Sequence, residues 1–365
     1  MPILAPGIIT SYDVPENARD ISPLFYGLTL PETALFNRLG VGTRAINKTL
    51  NWYDDELMPT STTLGAAYTA ASGEMTLADA NFFPAGTIIR CEGSVYRVTD
   101  VNPSMKEITI AILSADANHA SGKTVEIIGN GQLEGKAFGN TASVKRVERT
   151  NYCQIFEQTA EVSGTEGATQ LVNGTTGKMS EEIAKKMEYL YRLMGRAIWN
   201  GIALNASDNT APRLMAGVKA FIDTHGYAPS AASFNQTNFD AFLDEISKRG
   251  GSLIDIWCSP TVARKFSALK DDSVVAERTD GTVGRWTRSY LSGNGATLTV
   301  NSDPACLDTD AIYVFPTSSI VLRPLRPLQM QPIAKVGDSE RVLLVGEYSL
   351  EVRNSQAMGK FSISG

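Results

Sequence analysis

The stretch SEEIAKKMEYLYRLMGRAIWNGI, residues 180–202, carries the strongest structural signal in the chain. Ser180 is a favourable N-cap, and Glu181 and Glu182 follow in the first turn, where the helix dipole favours acidic side chains. The pattern predicts one long helix over residues 181–203, about 34 Å in length. Its apolar side chains recur at helical spacing and form a single stripe that must be buried: Ile183, Met187, Leu190, Tyr191, Met194, Ile198 and Ile202.

Upstream of this helix, residues 62–140 are predicted to form a small β domain of their own. Short β-type runs lie at 87–90, 95–98, 108–112 and 124–128, with turn signals between them. A spacing of about ten residues between such strands is typical of a small barrel or sandwich. Because strand patterns also precede this region and resume at 143–162, the chain is expected to run out and back with the small domain at the far end.

Residues 1–30 are predicted to form an extended arm, because Pro2, Pro6, Pro15 and Pro23 exclude a long helix. The arm carries many large apolar side chains that some surface must cover. One interpretation is a strand wrapped over its own domain. We expect instead that neighbouring copies bind the arm. The apolar residues are Ile3, Leu4, Ile8, Ile9, Tyr12, Val14, Ile21, Leu24, Phe25, Tyr26 and Leu28.

Downstream of the long helix, residues 236–325 are predicted to form an α/β unit. Thr237 is the expected N-cap of a helix over 238–249, a buried strand follows at 253–257, and a second helix covers 260–269. The remaining C-terminal runs are β-type again, and the last of them spans 360–363. The fold class expected for the whole chain is α+β.

The amino-acid composition disfavours several classes of function. The 33 Lys and Arg residues against 39 Asp and Glu residues give a net charge of −6, which disfavours tight binding to nucleic acid phosphates. Four scattered cysteines and two histidines offer no metal-ligand spacing, so reduced thiols in a cytoplasmic protein are expected. No secretory signal and no apolar run long enough to cross a bilayer is found, so no membrane contact is expected.

The candidate sites for chemistry are weak. Gly129, Gly131 and Gly135 follow a strand, but no helical pattern comes after them, so they are interpreted as loop glycines rather than a phosphate-binding turn. His225 is interpreted as a turn residue without a nucleophile partner. The run Asp54, Asp55 and Glu56 is interpreted as a solvated turn rather than a cation site.

The acids of residues 240–245 are interpreted as an exposed helix face with an Asp244–Lys248 pair, and Tyr189, Tyr191 and Trp199 as core or interface residues. No catalytic, cofactor-binding or metal-binding residue is predicted, and no cofactor. The chain is therefore expected not to be an enzyme, and a hydrolase with an unrecognised site is the weaker alternative.

Two further stretches carry a resemblance to a known family. These are TNYCQIFEQTAEVSGT at 150–165 and GEYSLEVRNSQAMG at 346–359, and they occur in this order around the long helix. Together they resemble the major capsid proteins of tailed bacteriophages with the Hong Kong 97-type fold. The similarity covers nearly all of the chain outside 62–140.

The resemblance implies a division of the chain into named parts. Residues 1–30 would be the N-terminal arm, 31–61 with 141–165 the E-loop region, and 62–140 an inserted β domain. Residues 166–235 with 326–365 would form the peripheral domain, whose spine helix is 181–203, and 236–325 the axial domain. Lys48 lies on the proposed E-loop, but nothing identifies an acceptor, so no covalent crosslink between subunits is predicted.

The implied function is structural. Copies of the chain would form hexamers and pentamers that close into an icosahedral shell around double-stranded DNA, with weak non-specific contact to the DNA. Because the arm begins directly at Met1, a scaffold would be a separate protein or absent. Portal and decoration proteins are further expected partners, and assembly is expected in the bacterial host cytoplasm. Two alternatives remain: an encapsulin-like compartment that encloses cargo proteins, and another phage structural protein such as a tail-tube subunit.

Overall fold

The computed structural model describes residues 34–132, 134, 143–169, 178–206, 211–268, 274–276, 287–335 and 337–364. The predicted arm, 1–30, lies outside the described residues. The helices are α1 Gly164–Ala168, α2 Lys178–Asn200, α3 Val218–His225, α4 Gln236–Lys248 and α5 Pro260–Ala268, with short 3-10 turns at Phe36–Arg38, Thr317–Ser319 and Ser355–Ala357. None of the described helices is both long enough and apolar enough to span a bilayer.

The strands come in two groups along the chain. The first ten are β1 Gly40–Val41, β2 Thr49–Asp54, β3 Ser61–Thr63, β4 Glu74–Thr76, β5 Thr87–Cys91, β6 Ser94–Asn102, β7 Glu107–Ser114, β8 Thr124–Asn130, β9 Val147–Tyr152 and β10 Gln154–Ser163. The others are β11 Asp255–Cys258, β12 Val274–Ala276, β13 Thr287–Leu291, β14 Thr297–Ser302, β15 Ala311–Val314, β16 Ile320–Ile333, β17 Ser339–Val352 and β18 Gly359–Ser362. The mixed content agrees with the expected α+β class.

A long hairpin and the long helix form the centre of the molecule. β16 and β17 are antiparallel strands of fourteen residues each, in a sheet of order β1-β16-β17-β10. The stripe of α2 packs on this sheet, and Leu190, Met194, Ile198 and Trp199 are buried in its core. Because the stripe has helical spacing and the sheet offers an apolar face, burial of both stabilises the pair.

The long helix exists as predicted, but its bounds are shifted by three residues. It begins at Lys178 and ends at Asn200, so Ser180 lies in the first turn and is not the N-cap. A single cap contributes only about 1 kcal/mol, and here Lys178 is tied to Glu166 by an ion pair of 2.8 Å. At the other end, a side chain on Gly201 would lie 2.4 Å from the Met215 carbonyl oxygen, so the chain turns away at this glycine.

β2 and β9 form a two-stranded antiparallel ribbon, in which Trp52 lies opposite Arg149. This is the out-and-back path that the sequence indicates. However, one face of the ribbon is buried on its own subunit: Leu50 and Trp52 belong to the central core, and the Trp52 ring packs at a tilt against Phe221, with centroids 5.5 Å apart. These two strands are therefore docked on the body of the subunit and are not a free extended loop over their whole length.

The inserted region forms a closed, barrel-like sheet of order β3-β8-β5-β6-β7-β4. Its two edges meet beyond β3 and β4, where Gly65 N donates to Thr76 O and Ala78 N donates to Thr63 O, both at 2.8 Å. Closure leaves few free strand edges. The barrel has a core cluster separate from the rest of the molecule, built around residues such as Tyr96.

The α/β unit contains the sheet β12-β13-β14-β11-β15-β18, packed against α4 and α5. Two expectations for it are corrected. The N-cap of α4 is Asn235, whose Oδ1 accepts from Asn238 N at 2.8 Å, and Thr237 lies inside the helix. In addition, β18 pairs with β15, and Phe361 joins the core of this unit.

Several boundaries implied by the resemblance therefore change. β18 belongs to the sheet of the α/β unit, although residues 326–365 were assigned to the peripheral domain. β10 pairs with β17 throughout and so belongs to the central sheet rather than the E-loop region. The boundary at 325/326 falls inside β16. Strand pairing between distant segments of a chain is invisible in local sequence patterns, which is the physical reason for all three differences.

Candidate assembly surfaces

An apolar groove opens between the middle of α2, at Tyr191 and Met194, and the edge of β16. It encloses about 480 Å³ and has no charged residue among its lining residues: Phe36, Asn37, Val41, Tyr191, Met194, Leu322, Pro324, Pro327, Leu328 and Tyr348. Val41 at its lip is 73% exposed. An apolar, uncharged depression of this kind is typical of a binding surface.

The edge of β16 beside the groove is unsuited to regular pairing with a further strand. Pro324 and Pro327 lack an N–H donor, so this part of the edge cannot extend the sheet by a regular ladder. β16 is also irregular, with register shifts between Pro324 and Arg326 and between Arg326 and Gln329. Leu328 N instead donates to the Tyr348 hydroxyl at 2.8 Å, which fixes the floor of the groove.

The chain enters the described structure at the lip of this groove. Leu35 is fully buried, and its N–H donates to Asp303 Oδ2 at 2.8 Å. The same oxygen accepts from Trp199 Nε1 at 2.9 Å, so α2 and the entering chain share one buried carboxylate. The next residue, Phe36, contacts Tyr191 with ring centroids 5.6 Å apart. The point at which residues 1–33 join the subunit is thus fixed beside the groove.

Two buried carboxylates hold the hairpin in place. Glu347 is 4% exposed and accepts from Arg213 Nη2 at 2.8 Å and from Arg326 Nε at 3.1 Å. Glu351 lies further along β17 and accepts from two other guanidinium groups in the same way. The carboxylates are buried while their arginine partners are partly exposed, so loss of the arginines would leave a buried charge unpaired, which is costly.

A polar cluster lies at the base of the β2–β9 ribbon. Asp54 is 1% exposed, and its Oδ1 accepts from Asn354 N at 2.9 Å. The expectation of a solvated turn is therefore wrong for Asp54, because the ribbon packs this carboxylate inward beside Arg149. Arg149 in turn contacts Glu56 at 3.8 Å and His225 Nδ1 at 3.2 Å.

The structure does not bring the two histidines together. His225 is the last residue of α3 rather than part of a turn. His119 is buried in the barrel, with Nδ1 3.0 Å from Glu92 and Nε2 3.1 Å from the Tyr96 hydroxyl. Each histidine therefore belongs to the packing of a different structural unit.

Two of the three candidate glycines lie at the end of the barrel strand β8. Gly129 lies within β8, and Gly131 follows that strand and donates its N–H to Gly86 O at 2.9 Å. Gly135 lies outside the described residues. The two described glycines thus belong to the hydrogen-bonded frame of the barrel.

Lys48 is exposed. The predicted pair of Asp244 with Lys248 is replaced by contacts of Lys248 and Arg249 with Glu245.

Trp199 is a core residue, and Tyr191 packs beside the same core and lines the groove, as expected for core or interface positions. The described residues hold no group of three or more side chains able to bind a metal ion.

The cysteines are free and buried. Burial raises the pKa of the Cys258 thiol and of the Cys306 thiol to about 12 each. Both sulfurs are therefore protonated at neutral pH and unsuited to nucleophilic or metal chemistry.

Sequence reasoning missed the groove, because its residues come from four separate stretches of the chain. The signal that could have indicated it is the stretch RPLRPLQMQP at 323–332, in which the triplet Arg-Pro-Leu occurs twice directly after the apolar residues Val321 and Leu322. Prolines at such positions mark a sheet edge.

Comparison with known proteins adds an independent line of information. The sequence model of one family, described as SU10 major capsid protein, matches residues 8–363. No curated protein matches the chain in sequence.

Solved structures are similar over almost the whole length. The capsid of cyanophage A-1(L) shares 10% identity and covers 98% of this chain and 99% of its own, with a TM-score of 0.56. A capsid chain of a native GTA particle shares 10% identity over 97% and 98%, with a TM-score of 0.55. A chain of Mycobacterium phage Bobi shares 12% identity over 98% and 100%, with a TM-score of 0.51. At this identity the likeness establishes the fold, and the expected Hong Kong 97-type capsid fold is confirmed.

Proposed function

The chain belongs to the SU10 major capsid protein family, and from this we propose that its copies form hexamers and pentamers that close into an icosahedral shell around double-stranded DNA. It is a structural subunit that assembles with copies of itself into the capsid of a virion. Family membership does not favour an encapsulin-like compartment. The net charge of −6 supports weak rather than tight contact with the packaged DNA.

The groove is the observation that carries the assembly proposal. Its occupant in the shell is the stretch 21–31 of a neighbouring copy, ISPLFYGLTLP. This stretch has no charged residue, and neither does the lining of the groove. Proline-punctuated apolar segments dock well on surfaces lined by aromatic and proline side chains, because little conformational entropy remains to be lost.

A neighbouring copy is a better source of this stretch than the same chain. Leu35 is anchored on Asp303 and Phe36 forms the groove wall, so only residues 32–34 separate position 31 from fixed structure. The same chain would have to double back within these few residues, whereas a neighbouring arm meets no such restriction. Thirty-three extended residues span up to about 110 Å, which is ample to reach another subunit.

The remaining parts are proposed as the resemblance implies, with the boundaries corrected above. The ribbon and the barrel would form the E-loop and its inserted domain, which would lie on the outer surface and strengthen contacts between capsomers. The α/β unit would surround the capsomer axes. A scaffold, a portal and decoration proteins are proposed as separate partners, with assembly in the bacterial host cytoplasm.

A charge placed at the groove lip tests the assembly surface. Val41→Glu changes a side chain that is 73% exposed, so the subunit should fold normally but fail to close shells, because a carboxylate cannot be buried unpaired against an apolar stretch. Thr43→Glu is the control, since Thr43 is an exposed residue on the same segment and does not line the groove. Electron microscopy and sedimentation measure the outcome. Normal particles from Val41→Glu, or equal failure of both variants, would contradict the role of the groove.

A disulfide test identifies the source of the occupant. Subunits that carry Leu28→Cys are mixed with subunits that carry Val41→Cys before assembly, then oxidised. A covalent dimer on a non-reducing gel is expected if a neighbouring copy supplies the stretch. A double variant that crosslinks only within one chain would assign the groove to its own arm. The native thiols are buried and should not form competing disulfides in this assay; they belong to Cys91, Cys153, Cys258 and Cys306.

A further inference from the structure

The contact between Arg149 and His225 depends on the protonation of the imidazole. Arg149 Nη1 lies 3.2 Å from His225 Nδ1. A guanidinium group only donates hydrogen bonds, so Nδ1 must accept and cannot carry a proton. The contact therefore requires a neutral imidazole with its proton on Nε2.

Among the polar contacts of Arg149 described at the base of the ribbon, the one with His225 is the shortest. Asp54 Oδ2 is 3.5 Å from Arg149 Nε, and Glu56 Oε1 is 3.8 Å from Nη2. Asp54 Oδ2 and Arg149 Nε are buried and have no hydrogen-bond partner in the described part of the chain. Both acids therefore form only long ion-pair contacts with the guanidinium group, although their negative charges are close enough to offset part of its positive charge.

Burial, and then the charge of Arg149, lowers the pKa of His225 below its ordinary value of 6.5, while Asp54 and Glu56 act in the opposite direction. Among the described residues, the charged groups that act on the imidazole are Arg149 on β9, Asp54 on β2 and Glu56 just beyond β2. His225 itself is only partly buried, so solvent can reach the imidazole.

We propose that His225 is a pH-sensitive latch that holds the β2–β9 ribbon against α3. When the imidazole is protonated, its Nδ1 carries a hydrogen atom that faces an N–H of Arg149. The hydrogen bond is then replaced by repulsion between two cations. The link between α3 and β9 is then broken. Leu50 and Trp52 keep the ribbon in the core, but this end of the ribbon leads to the inserted barrel, so loss of the link loosens the attachment of the barrel.

The direction of the pH dependence follows from the lowered pKa. In the released state the imidazole has its ordinary value of 6.5, so the released state binds a proton before the latched state does. The latch is fully stabilising above about pH 6.5 and weakens as the pH falls through and below that value.

Hydrogen exchange on the full-length protein tests the latch, with wild type and His225→Gln compared at each pH between about 7.5 and about 5.5. Glutamine can accept from Arg149 through its amide oxygen and has no charge to gain. The wild-type amides of β2 and β9 should lose protection on acidification relative to the variant, by up to tenfold for each unit by which the pKa is lowered. His119→Gln is the matched control, because it removes the other histidine of the chain, which lies in the barrel.

The possible results of this experiment either support the latch or overturn it. An identical pH profile in wild type and His225→Gln would overturn the latch, and so would a ribbon whose protection is independent of pH. If the variant does not fold, the wild-type profile decides: loss confined to β2, β9 and α3 supports the latch, and uniform loss across the chain overturns it. The latch involves contacts within one subunit, so its failure is distinct from a failure of the groove proposal.

Discussion

Asn151 is fully buried and uses all four of its hydrogen-bonding positions. Its Nδ2 donates to Leu350 O at 2.7 Å and to Ala216 O at 3.1 Å, and its Oδ1 accepts from Ala216 N at 2.8 Å and from Tyr152 N at 2.9 Å. One amide thereby joins the ribbon, the hairpin and the loop before α3. In the sequence, a buried polar residue such as this one interrupts the hydrophobic pattern of a β-type run. Only its hydrogen bonds in the folded structure explain why an asparagine occupies the position.

Replacing this amide should be strongly destabilising. Asn151→Ala leaves several buried backbone groups without partners, and each costs about 1–3 kcal/mol, so we expect a loss of at least about 3 kcal/mol in the free energy of unfolding. Asn51→Ala is the control, since Asn51 lies on the exposed face of the partner strand β2. Denaturant unfolding of the unassembled subunit measures both. A loss below about 1 kcal/mol for Asn151→Ala would mean that water replaces the amide.

At the scale of single elements, the sequence predicted what local periodicity controls. The stripe of α2, the four main strands of the barrel and the second helix of the α/β unit all appear near their expected positions. Elements that depend on distant partners were missed or misplaced. β16 contains Pro324, Pro327 and Pro332, which argue against a strand, yet register shifts and an edge position accommodate them.

The same limit applies to the candidate surfaces. Tyr191 belongs to the predicted stripe, but its neighbours Phe36, Leu328 and Tyr348 come from segments more than 130 residues away from it along the chain. His225 was predicted in a turn because it lies in the sequence Thr224-His225-Gly226-Tyr227. Its contact with Arg149 arises from the packing of α3 against the ribbon, which no local spacing encodes.

The inserted barrel is predicted to fold as an independent element. It has its own core cluster, and its sheet edges pair with each other, so its hydrogen bonds join residues within the range 60–132. Expressed alone, a fragment covering 58–132 should give β-type circular dichroism and a single cooperative melt. Met75→Asp, which places a charge in the centre of this core, should abolish that melt, whereas Met105→Asp should not, because Met105 is 65% exposed. An unfolded wild-type fragment would mean that the ribbon stabilises the barrel.

At the scale of the whole molecule, the subunit leaves much apolar surface uncovered. Exposed large side chains occur in all three structural units, among them Ile46 at 99% exposure, Leu113 in the barrel at 53% and Leu307 in the α/β unit at 57%. Single exposed apolar residues are ordinary in proteins. Together with the groove, however, they indicate a subunit whose surface is completed by its neighbours, as expected for a shell protein.

The arm provides the sharpest test at this scale. Residues 2–28 can be deleted without touching Leu35, Asp303 or Phe36, so the anchor at the groove lip remains intact. Ordering an extended segment costs about 1–2 kcal/mol per residue, and a proline-rich segment has few ladder or helical hydrogen bonds of its own to offset this cost. A surface supplied by a neighbour must therefore provide the stabilisation. Deletion should leave the melting temperature of the unassembled subunit within about 2 °C of wild type, because the arm makes its stabilising interactions with other subunits.

The same deletion should abolish closed shells in electron micrographs, since each groove then loses its occupant. Replacing Leu24, Phe25 and Leu28 by serine should reproduce the defect, because these side chains lie in the stretch proposed to fill the groove. The same replacement at Ile3, Leu4 and Ile8 is the matched control and should weaken assembly less. A large drop in the melting temperature of the isolated subunit would mean that the arm wraps its own domain. In that case the neighbouring copies would have to be joined through the ribbon, the barrel and the hairpin alone.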